Sequence, residues 1–142
     1  MTGMAANLAP MLACLAAVAL LAGCAVPDPG PAGAPKLAAF HPTYLGIKTV
    51  LLESSLVDVV VSMKGARSDA DVEAYARCAA AQYALIRGYC FARHVRTNVA
   101  QEGSVWRGDA VYSISPALPR GLRTIDAEVT VRDCGAQGIP TV

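Results

Sequence analysis

The residues of this chain that could do chemistry are mostly cysteines, of which the sequence has five, at positions 14, 24, 78, 90 and 134. Cys24 is the most informative, because it closes an apolar run centred on residues 10–21 and follows the small residues Ala22 and Gly23. An apolar centre of about 7–15 residues that ends in small residues is typical of a secretory signal. The pattern therefore predicts export, with cleavage between Gly23 and Cys24.

The tetrapeptide Leu21-Ala22-Gly23-Cys24 resembles the lipobox of bacterial lipoprotein precursors. The resemblance implies that Cys24 is acylated, becomes the first residue of the mature protein and attaches it to a lipid bilayer. Two or more acyl chains hold a protein on a membrane stably. In such families an Asp after the lipidated cysteine often marks inner-membrane retention. This chain has Ala25 there, which implies the periplasmic leaflet of the outer membrane rather than the inner membrane.

A transmembrane anchor is the alternative interpretation of the same apolar run. Such an anchor needs about 20 consecutive apolar residues, and here Gly23 and a proline-rich stretch follow too soon. Residues 25–35 include four prolines and two glycines, which favours an extended tether with a reach of about 30 Å. We therefore divide the chain into a removed signal peptide (1–23), a lipidated cysteine with a Pro/Gly-rich tether (24–39) and one small domain (40–142).

Charge and periodicity indicate the class of that domain. The 12 basic and 11 acidic residues nearly balance, so no nucleic acid partner is expected. Apolar periodicity predicts an α+β fold of two layers, in which one helix packs on a mixed, mostly antiparallel sheet of about five strands in the order β-β-α-β-β-β. The predicted helix covers residues 69–87, and the predicted strands cover residues 49–52, 56–61, 89–97, 105–115 and 125–132.

The last predicted strand has the strictest alternation. Its apolar residues, which we expect to face the core under the helix, are Ile125, Ala127, Val129 and Val131. Its polar residues, which we expect to face water, are Asp126, Glu128, Thr130 and Arg132. A period of two over eight residues is the pattern of a half-buried strand.

Three cysteines remain in the mature domain, where an oxidising compartment favours one disulfide. The expected distances along helix and strand disfavour a bond from Cys78 to Cys90. Cys90 and Cys134 would lie at opposite ends of the sheet if the last three strands form a meander. The bond that remains joins Cys78 to Cys134 and leaves Cys90 reduced; the alternative is three separate buried thiols.

No constellation in the sequence specifies a reaction, a cofactor or a metal site. His41 and His94 have no carboxylate or cysteine at ligand spacing. We therefore expect a non-catalytic lipoprotein that binds an envelope protein or glycan, or serves in envelope assembly or maintenance. The competing hypothesis is a small envelope enzyme that uses Cys90 or His94. Six arginines could converge on an anionic partner, although interleaved acids favour a mixed solvated surface: Arg93, Arg96, Arg107, Arg120, Arg123 and Arg132.

Overall fold

The computed structural model describes residues 39–121 and 123–142. The predicted signal peptide, its cleavage site and Cys24 lie outside these residues. In chain order the elements are β1 (Thr43–Glu53), β2 (Leu56–Lys64), α1 (Asp69–Ile86), β3 (Phe91–Glu102), β4 (Val105–Ser115), β5 (Thr124–Asp126) and α2 (Ala127–Ala136). The fold is α+β, as predicted. No described helix is both long enough and apolar enough to cross a bilayer.

The five strands form one sheet in the order β1-β2-β4-β3-β5, and every neighbouring pair is antiparallel. Two-residue turns close the hairpins β1–β2 and β3–β4, and Gly103 in the second turn has a φ of 60°, a conformation that favours glycine. The last three strands do not form the meander that would separate Cys90 from Cys134, because β5 pairs with β3 and not with β4.

Helix α1 connects the two hairpins and packs on one face of the sheet. It begins after Ser68 and ends before Gly88, whose φ of 79° is the left-handed conformation common after helix ends. The side chain of Ser68 makes no capping hydrogen bond. Instead, Asp71 accepts hydrogen bonds from the backbone and guanidinium of Arg67, so an ion pair rather than a hydroxyl cap is found at this turn.

The core lies between α1 and the sheet. Alternate residues of β2 point at the helix and are fully buried, together with small residues of α1 that allow the helix to approach closely: Val57, Val59, Val61, Met63, Ala76, Ala79, Ala80 and Ala84. Gly108 of β4 lies under Val72, where an added Cβ would come within 2.7 Å of a Val72 methyl carbon. Gly108 therefore lies within β4 without interrupting it, and its missing side chain lets α1 approach the sheet.

The predicted last strand is wrong over most of its length. Only Thr124–Asp126 are extended, and Asp126 then caps α2 by accepting a hydrogen bond of 3.0 Å from the backbone N–H of Val129. Within α2 the buried residues are Ala127 and Cys134, seven residues apart, as on one face of a helix. Val129 is 44% exposed, so it does not pack under α1 as expected.

Helix α2 packs on α1, and a disulfide between Cys78 and Cys134 joins the two helices. The α-carbons are 6.0 Å apart, and the bond links residues 56 apart in sequence. This is the pairing that the sequence favoured, but one of the reasons for it was wrong, because the last three strands form no meander. Cys134 lies in helix α2, while Cys90 is free and exposed.

Candidate functional site

His94 lies on the helix-covered side of the sheet and is held by three contacts. Its Nε2 is 2.7 Å from the hydroxyl of Thr97, its Nδ1 is 3.5 Å from a guanidinium nitrogen of Arg123, and its ring packs edge-on against Tyr112. A guanidinium can only donate, so Nδ1 accepts and Nε2–H donates to Thr97. No carboxylate hydrogen-bonds to this ring among the contacts of the described residues, which gives His94 the surroundings of a packing residue.

Tyr112 cannot supply a base to this cluster. It is 3% exposed, and burial raises the pKa of its phenol; the Arg77 charge opposes the shift and the Glu73 charge adds to it. The hydroxyl therefore stays protonated at physiological pH. With His94, it forms part of the packing between β3, β4 and α1.

Cys90, the other residue of the enzyme hypothesis, lies in the connection between α1 and β3. Its backbone carbonyl accepts a hydrogen bond of 2.9 Å from the backbone N–H of Ala127. The residue as a whole is exposed. His94 lies four positions further along nearly extended chain, which puts the two α-carbons on the order of 13 Å apart. Imidazole and thiol therefore do not meet as a nucleophile and its base would have to.

Regular strand alternation predicts that His94 and Arg96 point to the same side of β3, but they lie on opposite faces. The pairing of β3 with β4 shifts by one residue between His94 and Arg96. Val95 is the extra residue of this bulge, and His94 then pairs with the buried Tyr112 while Arg96 pairs with Val111 on the opposite face.

The face of the sheet that α1 leaves uncovered carries a group of charged residues at its centre. We call Lys48, Asp58, Arg96 and Asp109 the charged face. A guanidinium nitrogen of Arg96 donates to a carboxylate oxygen of Asp109 at 3.1 Å. These residues come from four strands, β1 to β4. Asp58 and Arg96 are the cross-strand neighbours of Val111, which is 5% exposed although no described helix covers it.

Asp58 is the unusual member of the charged face. Its Oδ1 is buried and has no hydrogen-bond partner among the described residues. Burial raises the pKa of its carboxyl, and the charge of Asp109 raises it further, against the lowering effects of Arg96, the Val59 backbone N–H and Lys48. A buried carboxylate oxygen without a donor is costly and is the kind of group that a binding partner can satisfy.

Sequence reasoning did not single out Asp58, although a signal was present. It is the one charged residue within the run Leu56-Val57-Asp58-Val59-Val60-Val61. A charge in the middle of an apolar strand is more informative than an exposed one, because its desolvation needs an explanation.

A groove of about 510 Å³ opens beside the first turn of α1, lined in part by Phe40, His41, Tyr44 and Ile139. Its charged residues, Arg67 and Asp71, pair with each other at 2.7 Å. The hydrogen bonds from Arg67 hold the pKa of the Asp71 carboxyl below its ordinary value, with burial opposing the shift. The guanidinium carbon also lies 3.8 Å from the centre of the Phe40 ring. These contacts fasten the segment before β1 to the start of α1.

The six arginines do not converge on one point. Arg93, Arg96 and Arg107 lie on the uncovered face, where Arg96 pairs with Asp109. Arg123 contacts His94 on the other side of β3, and Arg132 lies in α2. Their placement matches the mixed surface that the sequence favoured.

Comparison with known proteins places the domain in a family. The alignment with an uncharacterized 26.9 kDa protein in the nqo8 5'region of Paracoccus denitrificans shows 37% identity over 87 residues. It covers 61% of this chain and 34% of the relative, so the chain matches about a third of that protein's length. No solved structure matches the chain. Residues 44–138 match the family model of the YNQ4 C-terminal domain, and the match includes both hairpins, α1, α2 and the disulfide. This chain therefore belongs to the YNQ4 C-terminal domain family.

Proposed function

We propose that this protein is a non-catalytic lipoprotein of the bacterial envelope whose YNQ4 C-terminal domain binds a protein partner through the charged face. Acyl chains on Cys24 attach it to the periplasmic leaflet of the outer membrane, and the segment 24–39 is its tether. The partner presents a lysine or arginine to Asp58 and takes part in assembling or maintaining the envelope.

The tetrapeptide at residues 21–24 supports the anchor. A small residue at each of positions 22 and 23, an apolar run before them and a cysteine at 24 are what lipoprotein processing requires. The proline content of residues 25–35 supports a spacer, because proline favours extended chain.

The unsatisfied carboxylate oxygen of Asp58 is the observation that carries the binding proposal. A cationic group of a partner placed beside this carboxyl would stabilise its charged form and offset the charge of Asp109. Both signs of charge lie within the charged face, which fits a protein surface of mixed charge. A polyanionic partner would instead call for clustered basic residues.

The anchor is tested by Cys24→Ser in the full chain. We expect loss of palmitate labelling, accumulation of the uncleaved precursor and loss of the protein from outer-membrane fractions of a density gradient. Palmitate on the serine variant, or a mature N-terminus at another residue, would contradict the anchor.

The binding site is tested by photocrosslinking in cells, with a photoreactive residue at Val60 on the uncovered face and, as control, at the exposed Arg77 on α1. We expect a protein adduct from position 60 that is absent from position 77. Asp58→Asn should weaken the adduct, while Asp133→Asn on the exposed surface of α2 should leave it unchanged. Retention on isolated peptidoglycan without any protein adduct would replace the protein partner by a glycan.

A further inference from the structure

Strand β1 forms one edge of the sheet and exposes apolar side chains along it. Within the described residues β1 pairs only with β2. Four of its 11 residues are large, apolar and 37–51% exposed: Leu45, Val50, Leu51 and Leu52. A long apolar edge without proline offers its unpaired backbone groups to another strand.

The other free edge of the sheet is built differently. Beyond its short pairing with β5, β3 is bulged at Val95 and continues with mainly polar residues to Glu102. Bulges and polar residues are the features by which proteins protect an edge from pairing. The pairing of β1 with β2 is also irregular, at Leu45 and Leu52, so the two edges differ in their side chains rather than in their regularity. The exposed apolar residues of β1 select it as the edge able to pair.

We propose that two copies of this chain associate edge to edge, with β1 of one copy antiparallel to β1 of the other. Lys48 and Glu53 are the charged residues of β1 and lie on either side of Val50 and Leu51. Lys48, Val50 and Glu53 point to the same face of the sheet, because the pairing of β1 with β2 shifts at Leu52. An antiparallel alignment centred on Val50 therefore brings Lys48 of each copy beside Glu53 of the other. Both charges are thereby paired around an apolar centre, which makes a second copy the partner that this edge fits. This edge shares Lys48 with the charged face, but the proposal does not rest on the proposed partner.

The first test introduces one cysteine into the full chain, purified in mild detergent, with Cys90→Ser as background. Opposed residues of antiparallel strands have α-carbons about 4.5–5.5 Å apart, within the range of a disulfide. Under mild oxidation we expect Val50→Cys to give a covalent dimer in high yield. Leu118→Cys, at a position 69% exposed outside the sheet, is the control and should give little. Equal yields from the two variants would overturn the proposal.

The second test reverses the charges and is read by light scattering of the same full chain. Glu53→Lys places like charges together at both ends of the pairing, and we expect it to weaken the dimer about tenfold. Adding Lys48→Glu should restore the dimer, because opposite charges then meet again. A monomeric native chain at all concentrations tested, or a double variant no better than Glu53→Lys, would overturn the proposal. So would a crosslink from β1 to residues 1–38 of its own chain.

Discussion

The two faces of the sheet are built from the same strands but are opposite in character. On the face under α1, the residues Val57, Val59, Val61 and Met63 are fully buried against alanines. On the other face, Asp58 alternates with them and belongs to the charged face, which no helix of the described residues covers. One alternating strand, β2, thus contributes to both the stable core and the proposed binding surface. The comparison teaches that stability should depend on the covered face and recognition on the uncovered one.

The largest effect on stability should come from the disulfide that fastens the covered side. Replacing Cys78 and Cys134 together by alanine removes a link between residues 56 apart. In the chain-entropy treatment this should lower the free energy of unfolding by about 4 kcal/mol, measured by urea denaturation.

The matched control is Cys90→Ala, which removes the free, exposed thiol and should change the free energy of unfolding by less than about 0.5 kcal/mol. Adding reductant should destabilise the native chain and leave the double variant unchanged. A native chain that is insensitive to reductant would show that the bond contributes little.

The second effect, smaller than the first, concerns the contact of α1 with the sheet at Gly108. A Cβ there would lie 2.7 Å from one Val72 carbon and 3.1 Å from a Val61 carbon, so the helix would have to move. We expect Gly108→Ala to cost about 1–3 kcal/mol in thermal or urea unfolding, as overpacked cores do.

Gly135→Ala provides the control, because its added Cβ meets nothing within 4 Å and alanine favours a helix. It should be neutral or slightly stabilising. Val72→Ala in the Gly108→Ala background should relieve the crowding, so the two changes should couple rather than add. Simple additivity would show that the loss at Gly108 has another cause.

The covered face was largely predictable from sequence, whereas the C-terminal region was not. The alternation in β2 fits only the period of a strand. In α1 the apolar spacing fits only the period of a helix, at Val72, Tyr75, Ala76 and Ala79. The structure has both elements. Residues 125–132 fit two periods. They alternate as a strand does, but Ala127, Val131 and Cys134 also share a helical face. The Asp126 cap and packing on α1 decided between them, and only the cap is visible in the sequence.

The uncovered face was predictable only in part, because its geometry depends on the bulge at Val95. The extra residue leaves no mark in the alternation of apolar and polar residues around it, yet it determines which of His94 and Arg96 reaches this face. Asp58 was recognisable as a charge inside an apolar run. That Asp109 and Arg96 would lie beside it follows from strand order, which neighbouring residues in the sequence do not encode.

The third prediction contrasts two carboxylates whose stability effects have opposite signs. The pKa of Asp58 is raised above 3.8 in the folded chain, so stability falls as pH rises through the interval between 3.8 and the folded pKa. We expect Asp58→Asn to be at least as stable as the native chain at pH 7, with the difference vanishing below about pH 3.8.

Asp71 should behave in the opposite way. Its pKa is lowered, mainly by Arg67, so its contribution is present above 3.8 and is lost as pH falls through the folded pKa. Asp71→Asn should therefore lower the melting temperature at pH 7 and have little effect at the lowest pH at which the fold survives. Melting temperatures across pH for both variants test the contrast, and the same sign for both would contradict it.

The smallest effect should be that of Val129→Ala, compared with the same change at Val59. Val59 is fully buried on the covered face, and truncating it to alanine should cost roughly 1.5–3 kcal/mol. Val129 is 44% exposed in the first turn of α2, where alanine is also the better helix former, so its truncation should stay within about 0.5 kcal/mol of zero. Were residues 125–132 a strand with Val129 under α1, the two variants would lose similar stability. Urea unfolding of the Val129→Ala and Val59→Ala variants therefore tests whether the side chain of Val129 belongs to the packed core.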